Sequence, residues 1–137
     1  MPYDVTIFPE SRLGLGTAVG PVTGEDFIEA HRRMTLDRRW EPGFREVWDL
    51  SNAAMVDVTP DALNRMMGGL IAQADRLRGS QVAIISSRES VEMLVRLVNR
   101  LGADIGRVNH LFGTRQDAAD WLGVPLPDVA VARPGAE

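Results

Sequence analysis

Four residues near the middle of the chain have the types and spacing to do chemistry: Asp49, Ser51, Asp57 and Thr59. Asp49 closes an apolar run that includes Val47 and Trp48, and a carboxylate there can accept backbone N–H groups from the segment that follows. Ser51 and Asn52 favour a turn. Thr59-Pro60 reads as a helix start, with Thr59 as N-cap and Pro60 at the first helical position. Free N–H groups at that helix end favour negative charge, whether from Asp57, from Asp61 or from a phosphate on Thr59. A capped helix with an acidic first turn accounts for the same residues without any ligand. The predicted chemistry is binding and switching at a strand-to-helix loop, which is where α/β sheets hold ligands.

Other chemistries are poorly supplied. The chain has no Cys, which excludes thiolate catalysis, disulfides, zinc–thiolate sites and iron–sulfur clusters. Its fifteen basic residues are all Arg, so Schiff-base chemistry and a P-loop lysine are absent too. His31 and His110 are too few and too far apart for a catalytic metal, and each reads as a packed or edge residue. Ser86, Ser87 and Ser90 lack a nucleophile elbow, and turn and cap roles explain them. Gly14, Gly16 and Gly20 miss the dinucleotide fingerprint because Val19 stands where its third Gly belongs; close backbone packing is the better account. The net charge of −4 argues against a nucleic-acid surface. No apolar run spans a bilayer, and the N-terminus lacks a signal-peptide pattern, so the expected location is cytoplasmic. The sequence predicts a protein that is not an enzyme and carries no cofactor or metal.

The elements that must position these residues follow from periodicity. Strands are predicted at 5–8 and 13–19, forming an opening hairpin that Gly20-Pro21 breaks. Thr23 caps a helix with Phe27, Ala30, His31 and Met34 on one face, ending near Leu36. A strand at 44–50 leads into the loop before Pro60. The helix over 60–77 has the clearest stripe in the chain, including Leu63, Met67, Leu70 and Leu77, and Gly79 fits its stop. A central strand over 81–85 follows, then a helix capped by Ser87 or Ser90 with its stripe at Val91, Leu94, Val95, Val98 and Leu101. Arg88, Arg96 and Arg100 beside that stripe read as a solvated face. A strand over 108–112 and a helix after Thr114 complete the order ββαβαβαβα. This predicts an α/β domain on a mixed, mostly parallel five-stranded sheet over 1–123, with an extended C-terminal tail over 124–137.

Within the 60–77 helix, Gly68 and Gly69 sit among Met66, Met67 and Leu70. Two glycines inside a helix cost roughly 1 kcal/mol each relative to Ala, and tight helix–sheet packing is the favoured reason. The alternative is a movable helical wall over a small apolar ligand or lipid, with methionine as an adaptable lining.

The pattern Trp48-Asp49-Leu50-Ser51 followed by Val56-Asp57-Val58-Thr59 resembles the anti-sigma-factor antagonist (STAS) domain. The resemblance aligns Asp49 with that family's strand-end Asp, Asp57 with its pre-switch Asp and Thr59 with its phosphoacceptor. Val58 and Pro60 depart from the family's Ser and Gly. The element order, and the ending Phe112-Gly113-Thr114 with Trp121-Leu122, are similar to the SpoIIAA-like bacterial subgroup. The resemblance implies a non-catalytic regulatory domain that binds a protein partner and is phospho-regulated before the second helix. A homodimer through an exposed sheet edge is a further expectation.

Overall fold

The computed structural model of the protein describes residues 2–128. Two antiparallel strands open the chain, β1 (Tyr3–Phe8) and β2 (Leu13–Thr23), joined by a 3-10 turn at Pro9–Ser11. Three more strands add in parallel: β3 (Arg45–Asp57), β4 (Val82–Ile85) and β5 (Asn109–Phe112). The spatial order is β1-β2-β3-β4-β5. The helices are α1 (Gly24–Thr35), α2 (Pro60–Ala72), the short α3 (Ala74–Leu77), α4 (Glu89–Leu101) and α5 (Arg115–Leu122). This is the predicted mixed sheet and element order, with α3 added.

Strand alternation divides the core between the two faces. Tyr3, Trp48 and Val82 pack against Met34 of α1, Leu63 and Leu70 of α2, and Val95 of α4. On the opposite face Leu15, Val47, Ala83 and Ile85 pack under Ala118 and Leu122 of α5. One face thus carries three long helices and the other carries one. Val124 and Leu126 also lie against the α5 face. The rest of the expected tail, 129–137, lies outside the described residues.

Close approach explains two of the early glycines. A Cβ on Gly14 would sit 2.7 Å from Met34 Sδ, and one on Gly16 would enter the Trp48 ring.

The two strands flanking the site run further than expected. β2 passes through Gly20-Pro21 because Gly20 takes a positive φ of 75° and the register shifts there. β3 does not stop at Leu50; it continues to Asp57, paired with β2 from Val19–Asn52 to Thr23–Asp57. β3 spends 13 residues on the 11 of β2, and two register shifts absorb the excess. Pairing with β2 overrides the turn preference of Ser51 and Asn52. The 60–77 helix breaks at Gln73, and α3 resumes so that Leu77 still reaches the core. Neither Ser87 nor Ser90 caps α4: Arg88 holds the cap position without a side-chain bond, and Ser86 Oγ accepts its N–H at 3.1 Å. Leu101 is half exposed rather than part of the buried stripe. No helix among the described residues is long and apolar enough to cross a membrane.

Candidate functional site

The extension of β3 divides the four residues between two places. Asp49 lies where β3 still has a neighbour on each side, Thr17 of β2 and Ile85 of β4. Its carboxylate faces α5 and is buried, and Arg115 Nη1 donates to Oδ2 at 2.7 Å. The other oxygen accepts the Ser51 backbone N–H at 3.0 Å and the Ser51 hydroxyl. Arg115 also donates to the Pro127 carbonyl at 2.7 Å, tying down the segment after α5. Asp49 therefore accepts a backbone N–H from the residues after it, but inside a strand. Its charge is spent on fixing α5 to the sheet. Ser51 itself is exposed.

Asp57 and Thr59 lie at the far end of the strand, on the order of 25 Å further along it. Both are exposed. Thr59 caps α2 as expected: its Oγ1 accepts the Ala62 N–H at 3.1 Å, and Pro60 follows at the first helical position. The start of α1 lies alongside. Thr23 pairs with Asp57 in the ladder and makes a capping box with Asp26. A Cβ on Gly24 would come within 2.6 Å of Ala62 Cβ, so the two helix starts touch. Arg65 of α2 bridges to Glu25 of α1 across the same contact. Two helix N-termini lie side by side at this tip, and their dipoles offset part of the negative charge of Glu25, Asp26, Asp57 and Asp61. Beside the tip an open groove of about 610 Å³ runs between Val56, Asp57 and Val58 of the β3 end and Met93, Leu97 and Arg100 of α4.

A second charged cluster was not singled out in the sequence. Glu46 is fully buried on the three-helix face of β3. It is ion-paired with Arg107, accepts the Trp48 Nε1–H at 3.2 Å, and lies 3.3 Å from His31 Nε2. Burial alone pushes the Glu46 carboxyl up, but the paired Arg107, with His31 beside it, outweighs burial and holds it well below the usual carboxylate range. Strand alternation carries the signal: Phe44, Glu46, Trp48 and Leu50 share one face, so a core-facing Glu demands a buried cation. The cation itself, sixty-one residues along the chain at Arg107, has no local mark in the sequence. His31 is buried and stacked on Phe27 at 5.7 Å, matching the packed role expected of it. His110 is exposed and lies against Trp121 at 4.3 Å. Among the described residues no group of three or more acidic or His side chains converges as a metal site.

The proposed ligand wall on α2 is only partly where the sequence put it. Met66 and Leu70 line a small apolar cavity of about 60 Å³ beneath the helix, with Trp48, Leu50, Val95, Arg107 and Asn109 also in its lining. Met67 is buried towards Gly102 instead. Gly68 and Gly69 face solvent, and a Cβ on either would meet nothing within 4 Å. Tight helix–sheet packing is therefore not the reason for the glycine pair.

No family model matches the chain, and no curated protein matches it. Solved structures do. One is an uncharacterised protein of the DUF3478 family from Shewanella loihica, with a SpoIIAA-like fold. It is 20% identical, with a TM-score of 0.58 over 88% of this chain and 91% of that one. Another is the anti-sigma factor antagonist SpoIIAA in its unphosphorylated form, 9% identical, with a TM-score of 0.52 over 88% of this chain and 97% of that one. The chain has the SpoIIAA-like fold that its sequence pattern suggested.

Proposed function

We propose that this chain is a non-catalytic regulatory domain that binds a protein partner through the tip formed by the end of β3 and the start of α2. Asp57 and Thr59 are its contact residues, and phosphorylation of Thr59 is its control. The observation that carries the reading is the placement of Thr59, an exposed hydroxyl at a helix N-terminus beside an open apolar groove. A phosphate there would meet the N–H groups of α2 and the dipoles of two adjacent helices. It would also lie near Asp57, so its arrival changes the charge of the tip sharply. The SpoIIAA structure supports the reading by likeness, since that protein is an anti-sigma factor antagonist described in an unphosphorylated form. Asp49 serves this surface indirectly, by holding the base of the strand to α5, and Ser51 is a second exposed hydroxyl on the same strand.

The test is intact mass spectrometry of the protein purified from its own host, followed by partner binding with Thr59→Glu and Thr59→Ala. A phosphate mapped to Thr59, and a partner whose binding differs between the two variants, support the reading. Equal binding by both variants overturns the control. Self-association through the open side of β1 belongs to the same reading and is tested by sedimentation.

The small apolar cavity under α2 supports a second reading, a binder of a small apolar molecule for which α2 is the wall that moves, since the space as it stands holds no more than about two waters. A non-covalent adduct seen in native mass spectra and lost on denaturation supports it. Met66→Trp, which fills the space, would then abolish the adduct.

A further inference from the structure

From the groove beside the β3 tip we infer that the partner element this domain takes is an extended, acidic-apolar peptide, docked as an added strand along the free side of β3. The inference rests on the interaction reading above and names the chemistry of its partner.

The first observation is the unequal length of neighbouring strands. β4 accompanies β3 only from Glu46–Val82 to Asp49–Ile85, whereas β3 runs on to Asp57. Beyond Leu50 the side of β3 away from β2 has no strand beside it. A strand edge of this kind presents backbone donors and acceptors that another extended chain can meet.

The second observation marks where this edge begins and which residues it leads to. Arg88 Nη2 donates to the Ala53 carbonyl at 2.9 Å. A guanidinium N–H thus already satisfies this carbonyl, and the edge is open to an added strand beyond it. From Ala53 the edge continues into the residues that wall the groove, Val56 to Val58.

The third observation is what faces the edge. α4 buries Val91 and Val95, yet its outer row Met93, Leu97 and Leu101 is exposed, with Met93 at 64%. These side chains repeat every four residues, so they form one ridge along the helix. The open volume between ridge and edge, about 610 Å³, is of the size that admits a few side chains. An added strand would turn alternate side chains towards this ridge, which calls for apolar residues at every second position. Arg96 and Arg100 stand on the same wall. Arg96 is paired with Glu92 at 2.7 Å, whereas Arg100 has no carboxylate within 4.0 Å among the described residues. Asp57 stands on the opposite wall, so an acidic residue of the peptide belongs on the α4 side, where it would complete the Arg100 pair. Edge, ridge and free cation therefore specify one occupant: an extended segment that alternates apolar residues and carries a carboxylate.

The experiment is selection of phage-displayed random dodecapeptides on the full chain, followed by fluorescence anisotropy and amide hydrogen exchange with the selected peptide. The expected consensus alternates apolar positions and contains Asp or Glu. Binding falls tenfold or more with Leu97→Ser and with Arg100→Glu, both at surface positions, and selection on Arg100→Glu exchanges the acidic position for a basic one. Amides of 54–57 gain protection when the peptide binds. A consensus without acidic residues, protection confined to another surface, or failure to select any peptide overturns the proposal. The outcomes separate this inference from the reading beneath it. Peptides that bind in the groove with equal affinity to Thr59→Glu and Thr59→Ala would leave the docking mode standing and remove the control. A natural partner that responds to Thr59→Glu but not to Leu97→Ser would do the reverse.

Discussion

Between Arg45 and Leu50, β3 lies in a closed setting: β2 is on one side, β4 on the other for most of that length, and helices cover both faces. From Ser51 to Asp57 the same strand has β2 alone, and all but two of its residues are exposed. Each half carries acidic residues, and their treatment differs. Glu46 and Asp49 in the closed half are each matched by an arginine from a distant part of the chain. Asp57 in the open half has no cation within 4.0 Å among the described residues. A charge in a closed setting must be neutralised by a partner or it unfolds the protein, so such pairs record architecture. A charge in the open half is solvated whatever surrounds it and is free to serve a contact. The proposed contact therefore falls in the half of the strand with the fewest buried residues.

The sharpest way to break the comparison is at Glu46. Glu46→Gln keeps the shape and an acceptor for Trp48 but leaves Arg107 buried without a counter-charge. Breaking such a pair from one side costs about 3–5 kcal/mol, to be read from urea denaturation at pH 7. The sign with pH follows from the lowered carboxyl. The contribution of Glu46 is present in full above the ordinary carboxylate range, near 4.5, and is lost as pH falls through the lower folded value. The gap between wild type and variant should therefore narrow steadily as the medium is taken below pH 4.5. A gap that stays constant down to pH 3 would show that the charge of Glu46 is not what the fold needs.

Asp49→Asn comes next. Its carboxylate is buried but Arg115 is about a third exposed, so the freed guanidinium can turn to water. The expected loss is about 2 kcal/mol, the scale of hydrogen bonds to a charged group. It should be accompanied by faster amide exchange in α5, because that helix loses its tie to β3. If α5 is unaffected, Asp49 is not the anchor the closed half requires.

How much of this was readable beforehand divides along the same line. The element order, the Thr59 cap and the packed role of His31 were legible because they depend on local spacing. The length of β3 was not. Ser51 and Asn52 carry a turn signal, and only the parallel partner in β2, whose own Gly20-Pro21 looked like a stop, draws them into a strand. Two local misreadings therefore supported each other. Glu46 was legible in principle from the alternation Phe44, Glu46, Trp48, Leu50, but Arg107 was not, since no local rule links residues so far apart. The grouping of Asp49 with Thr59 failed for the same reason: proximity in sequence places residues together across a loop and apart along a strand.

Glycine substitutions sharpen the contrast by reversing its sign. Gly16 lies in the closed region against the Trp48 ring, and Gly16→Ala should lower stability by about 1–3 kcal/mol through overpacking. Gly68 and Gly69 lie on the open side of α2 with empty space around them. Gly68→Ala and Gly69→Ala should each raise stability by up to about 1 kcal/mol, since the helix gains propensity and nothing is displaced. The two alanines together should raise Tm without altering the structure. If they also abolish ligand or partner binding, the glycine pair is kept for bending α2 rather than tolerated by it.

The smallest expected change is at Asp57. Asp57→Asn removes a solvated charge between two helix N-termini, and exposed substitutions of this kind fall within about 0.5 kcal/mol. A shift that small in chemical denaturation, together with a large change in partner binding, is the pattern expected of a residue kept for contact alone. The helix dipoles allow a more specific check. Asp57 is one of the negative charges already present at the tip, beside Asp26 and Asp61, so its removal should make a phosphate at Thr59 easier to accommodate. The pKa of a phosphothreonine at position 59, followed by phosphorus NMR, should fall in the Asp57→Asn background because a repelling carboxylate has gone. An unchanged titration would mean that Asp57 and Thr59 do not share one field, and the tip would then be two neighbouring features rather than one switch.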